Sequence, residues 1–99
     1  MKYADIAETL CRAWEKKTRQ KSSCSLMEAW VDSKGRQWWT ATIVGGYDVF
    51  SGSDPDPDLA VYASLRQYCV ASVALSFSGL PVRAGSVEEL ALRLAVLNA

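Results

Sequence analysis

Apolar residues recur at Ile6, Leu10 and Trp14 along "ADIAETLCRAWEKKTRQ", and Ala7, Cys11 and Ala13 widen the stripe. That four-residue spacing predicts an amphipathic helix over 4–20. Asp5 and Glu8 stand near its start, and Lys16, Lys17 and Arg19 near its end, so both ends complement the helix dipole. "KSSCS" closes the element.

The period then changes from helical to two. "SLMEAWV" (25–31) and "RQWWTATIV" (36–44) flank "DSKG", Asp32 to Gly35, a type I turn ending in a left-handed glycine. With Asp32 facing Arg36, the register sets Trp30 opposite Trp38, Ala29 opposite Trp39 and Glu28 opposite Thr40. Side chains alternate between faces. Met27, Ala29, Val31, Trp39, Ala41 and Ile43 are therefore expected on the core face, and Leu26, Glu28, Trp30, Trp38, Thr40 and Thr42 on a mixed one. Gly45-Gly46 can turn the chain into a third strand, "YDVFS" (47–51), with Asp48 on the core side opposite Ile43.

Helical spacing returns in "LAVYASLRQYCVASVALSFSG" (59–79), at Leu59, Tyr62, Leu65, Cys69, Val73 and Phe77. Gly79 and Pro81 are stop signals. The uncharged run after Arg66 contains three serines and falls short of the ~20 apolar residues of a membrane span, so a helix buried on most sides is expected. "SVEELALRLAVLNA" opens with Ser86 and carries Glu89 three residues on, a capping box. Val87, Leu90, Leu94 and Leu97 form one face of this last helix; Leu92 and Val96 form a second. So little polar surface implies wedging between layers, or self-association through Leu92 and Val96.

Before the second helix stands "DPDPD", where Asp54, Asp56 and Asp58 invite comparison with a calcium loop. The required glycine and glutamate positions hold Leu59 and Leu65, and the prolines stiffen the backbone where it must curl. A helix start uses every residue instead. Asp56 is the N-cap, Pro57 the first helical position, and Asp58 lies near the positive end of the dipole. No metal or cofactor is expected.

Composition narrows the chemistry. The 99 residues make a single-domain length (1–99), and 11 cations balance 11 acids, giving no global field for polyanions. Histidine is absent, which excludes imidazole base catalysis, Ser-His and Cys-His nucleophile pairs and histidine zinc sites. Cys11, Cys24 and Cys69 read as reduced thiols, and the charged N-terminus lacks a signal peptide's apolar region, so a cytoplasmic setting is expected.

The expectation is an α+β domain of order α-β-β-(β)-α-α, a two- to three-stranded antiparallel meander packed against helices. This order is similar to the layout of double-stranded RNA-binding domains. The lysine-rich start of their second helix is replaced here by "DPDPD", and no residue role carries across. The reading of function is a non-enzymatic protein–protein interaction module, adaptor or inhibitor in type. It would dock through Trp30 and Trp38 with Lys34 and Arg36 at the adjacent turn. The alternative is nucleic-acid binding through the basic end of the first helix, at Lys16, Lys17, Arg19 and Lys21, with Arg36 at the hairpin turn.

Overall fold

The computed structural model describes residues 2–74 and 80–97. Helix α1 (Lys2–Thr18) leads into strands β1 (Ser22–Val31), β2 (Gln37–Gly45) and β3 (Asp48–Asp54), followed by helices α2 (Pro57–Ala74) and α3 (Val87–Leu97). The strands form one antiparallel sheet in the order β1-β2-β3. This is the α+β order expected from the sequence, with the third strand present.

Two glycines let helices settle onto one face of the sheet. A Cβ at Gly45 would lie 2.2 Å from the Trp14 ring, and one at Gly52 would lie 2.4 Å from both Ala63 Cβ and Ser64 N. Gly45 shares its face with Ala41 and Ile43, and Gly52 pairs with Ala41, so α1 and α2 cover the same side. Trp14, Phe50 and Tyr68 meet there, with ring centroids 5.5–6.2 Å apart. Edge-to-face and tilted contacts of this kind add to plain burial. Helix α3 packs against α1 and α2 rather than the strands, through Val87, Leu90 and Leu94.

The helix ends follow their local chemistry. The Asp56 carboxylate accepts the Asp58 N–H at 2.8 Å, and the Asp56 carbonyl accepts the Ala60 N–H, so Asp56 is the N-cap of α2. Ser86 Oγ accepts the Glu89 N–H at 3.1 Å in α3; Glu89 reaches back to the Gly85 N–H rather than to the cap's own. Helix α1 stops two residues early because Arg19 turns left-handed, with φ 60°, and donates its N–H to the Glu15 carbonyl.

Four expectations are corrected. The register slips between Glu28 and Trp30, so Glu28 pairs with Trp39 and Met27 with Thr40 while Trp30 still pairs with Trp38. The extra residue is Ala29, a β-bulge, which moves Met27 to the outer face and Leu26 and Glu28 to the helix side. In the second hairpin, Gly46 (φ 61°) and Tyr47 form the loop, so Asp48 pairs with Gly45, and Phe50 takes the place opposite Ile43. Helix α2 buries Val61, Ser64, Leu65, Tyr68, Cys69 and Ser72, leaving Leu59, Val70 and Val73 exposed; it is not buried on most sides. Phe77 lies outside the described residues. On α3, Leu97 is exposed together with Leu92 and Val96, so the helix is not wedged between layers.

The glycine contacts are testable by urea unfolding. Gly45→Ala and Gly52→Ala should each lower stability by roughly 1–3 kcal/mol or prevent folding, because the added methyl meets a ring or backbone that cannot yield. Gly85→Ala, where the nearest atom is a flexible Glu89 oxygen 3.6 Å away, should be near neutral. Equal stability of all three variants would contradict the packing described.

Candidate functional site

The tip of the β1–β2 hairpin is organised by one carboxylate. Asp32 Oδ1 accepts the Lys34 N–H (2.9 Å) and the Arg36 N–H (3.0 Å); Asp32 Oδ2 accepts Arg36 Nε–H (2.9 Å) and Trp38 Nε1–H (2.8 Å). Gly35 closes the turn at φ 80°, the left-handed region that favours glycine. These donors, the Trp38 indole foremost and then the Arg36 amide, hold the Asp32 carboxyl well below the usual carboxylate range.

Fixing Trp38 in this way fixes its neighbour. The Trp30 and Trp38 rings stack with centroids 5.2 Å apart and planes within 14°. Gln37 adds a clamp, its side-chain amide donating to the Trp30 and Trp38 carbonyls. Trp30 remains 47% exposed. Arg36 is held in an ion pair with Asp32, and Lys34 stands exposed at the turn.

The pair sits at one end of the sheet's outer face, which no described element covers. Cross-strand rows follow from it: Met27, Thr40 and Ser53, then Ser25, Thr42 and Ser51, then Ser23, Val44 and Val49. Thr40 and Ser53 share a hydrogen bond of 2.8 Å. None of these residues is charged. Depletion of charge beside aromatic side chains is a feature of interface centres, whereas the serines of these rows are not.

Beside this face runs the open edge of β1. Ser22 directs both backbone groups at α1, its N–H to Glu15 Oε2 (3.0 Å) and its C=O to Arg12 (3.0 Å). An antiparallel ladder alternates direction every residue. Cys24, Leu26 and Glu28 therefore point their N–H and C=O groups away from β2 as well, and among the described residues nothing pairs with them.

The other sequence candidates fall elsewhere. Lys16, Lys17, Arg19 and Lys21 are exposed around the end of α1. Arg36 lies at the far end of β1, ten residues or ~33 Å away, so the structure does not bring the two basic groups together. Leu92 and Val96 lie open on α3, which packs on α1 and α2 rather than on the strands that carry the tryptophans. Asp54 and Asp56 spend a carboxylate oxygen each on the N–H two residues ahead, as turn and cap, and no group of three metal-binding side chains gathers among the described residues. The thiols are free; burial pushes Cys11 up and both Cys24 and Cys69 to about 11.

No protein family, curated protein or solved structure matches this chain. Sequence reasoning found the tryptophan pair but missed the β1 edge and the uncharged rows. The run Ser22–Ser25, read along the chain as the close of the first helix, instead opens β1, and Ser23 and Ser25 alternating onto its outer face are the signal that carried them.

A carboxyl depressed in the folded hairpin stabilises it fully above its unfolded value of ~3.9 and ceases to do so as pH falls towards the folded value. In an acid titration, the circular dichroism of the coupled indoles should therefore persist through pH ~3.9 and decline only well below it. Asp32→Asn should weaken the signal at neutral pH and remove the acid step. A wild-type midpoint at or above the ordinary carboxylate value would refute this role for Asp32.

Proposed function

We propose that this chain is a non-enzymatic protein–protein interaction module, which receives an extended segment of another protein along β1 and anchors it on Trp30 and Trp38. The observation that carries this reading is a stacked indole pair, its Trp30 member half exposed, on an uncovered, uncharged sheet face continuous with an unpaired strand edge. Strand addition takes its affinity from main-chain hydrogen bonds and its specificity from side-chain contacts on alternate residues. Cys24, Leu26 and Glu28 supply the first; Met27 and the two tryptophans supply the second. Whether such a module acts as an adaptor or an inhibitor depends on what its partner does.

The chemistry of the chain supports binding over catalysis. It has no imidazole, and its thiols are held in the neutral form that is a poor nucleophile. The nucleic-acid alternative draws on cations at two separated ends, while the aromatic face between them bears none to meet phosphates.

Two substitutions distinguish the parts of the proposal. Trp30→Ala should leave a folded protein, since a cross-strand aromatic pair contributes only ~0.2–1 kcal/mol. It should nevertheless cost about 2 kcal/mol or more of partner affinity, the scale of an interface anchor. Leu26→Pro deletes an outward N–H and spares the β1–β2 ladder; it should also abolish partner binding in a folded chain. Calorimetry against the partner isolated from the native host measures both. Unchanged affinity in either folded variant would overturn the proposal.

A further inference from the structure

Across the helical layer from the tryptophans, a groove runs between α3 and the segment 80–85. That segment is fixed by α2. Tyr68 Oη donates to the Val82 carbonyl and accepts the Val82 N–H at 3.3 Å, and Ser72 Oγ accepts the Ala84 N–H at 3.1 Å. Helix α3 turns Leu90 and Leu94 inward and leaves Leu92 and Val96 at 70% and 77% exposure. The resulting groove, of about 590 Å³, is lined by Pro81, Val82, Leu92, Val96 and Leu97. A second hollow of about 370 Å³ shares Pro81 and Leu97 with it and extends the channel to Ala13 and Lys16 on α1.

The charge around this channel is one-sided although the chain as a whole is neutral. Arg83 and Arg93 border the first hollow, and Arg12, Lys16 and Lys17 the second, against one carboxylate, that of Glu89, among the described lining residues. Glu89 is taken by Arg93 at 2.7 Å, and Arg12 is matched by Glu8 and Glu15. Lys17 donates to the Leu80 carbonyl, which leaves its charge uncompensated. Among the described residues, Lys16, Lys17 and Arg83 have no carboxylate partner.

We propose that this channel docks an acidic amphipathic helix of a partner protein, a second binding surface independent of the hairpin. The Leu92–Val96 pair forms an i, i+4 ridge of the kind that seats between the ridges of another helix. A helix carrying glutamates beside its apolar stripe would place them against Lys16, Lys17 and Arg83. A second copy of this chain fits less well, because it would bring the same uncompensated cations together.

A synthetic amphipathic peptide of about four helical turns, with leucines at helical spacing flanked by glutamates, provides the test beside a twin with lysines for glutamates. The acidic peptide should shift amide resonances of residues 80–85 and α3, and its affinity should fall at least about tenfold between low salt and about 0.5 M. Leu92→Glu and Lys16→Glu, both at exposed positions, should each weaken it about tenfold while circular dichroism shows an unchanged fold. Trp30→Ala should bind it as the parent does, which separates this surface from the proposed function. No binding of the acidic peptide at low salt, equal binding of the lysine twin, shifts centred on the hairpin, or a dimer formed through Leu92 and Val96 would each overturn the proposal.

Discussion

Trp14 can lie against the sheet only because position 45 carries no side chain. The indole occupies the space a Cβ would need, 2.2 Å away, and from there reaches Phe50 on β3 and Tyr68 on α2. Three elements distant in sequence thus share one aromatic contact. Tyr68 extends it further, since its hydroxyl holds Val82 and so positions the segment that α3 packs beside. Sheet, helices and groove wall are linked through one cluster. Its tolerance for change is small, as expected of close-packed interiors.

The same constraint makes the fold one-sided. Both glycine gaps open on the helix side, so α1 and α2 compete for that side and leave the outer face to solvent. Strand β1, at ten residues, then outruns its cover; from Ser25 onward to Val31 every residue is exposed. A strand edge in that state is normally blunted by lysine, proline, a bulge, an inward-pointing charge or a covering segment; toward the hairpin tip the Ala29 bulge and Glu28 supply two of these, and the stretch from Ser23 to Met27 has none. Here α1 closes only the first residue, through Arg12 and Glu15. The hairpin tip must hold its own shape, and the Asp32 hydrogen bonds and the indole stack supply the local order.

Much of this was legible along the chain. The α1 stripe, the Asp56 cap, the Ser86 cap and the Trp30–Trp38 pairing each depend on neighbours within a few residues, where periodicity and capping chemistry act directly. The bulge at Ala29 was not legible, because alanine suits either face and the alternation around it reads smoothly in either register. The inward side of α2 was misread for a different reason. Apolar residues surround that helix, and two of its buried positions are serines, Ser64 and Ser72, whose hydroxyls are satisfied by carbonyls one turn earlier. The groove could not be read at all. Its walls come from α1, segment 80–85 and α3, and only tertiary packing brings Lys16, Arg83 and Leu92 to one surface.

The residues that fold this chain and those proposed to bind are almost separate sets. Trp14, Phe50, Tyr68, Leu90 and Leu94 are buried, whereas Trp30, Met27, Leu92 and Val96 give most of their surface or about half of it to water. A small domain has only about 5–15 kcal/mol of net stability, and each exposed apolar side chain is a lost opportunity for burial. Trp30 and Trp38 recover little of that through stacking, roughly 0.2–1 kcal/mol. The four hydrogen bonds to Asp32 stabilise the tip as well, and they hold the Trp38 indole in place within it. Rigid aromatic surface loses little conformational entropy on binding, so in the proposed docking the order that stabilises the tip would also lower the cost of association.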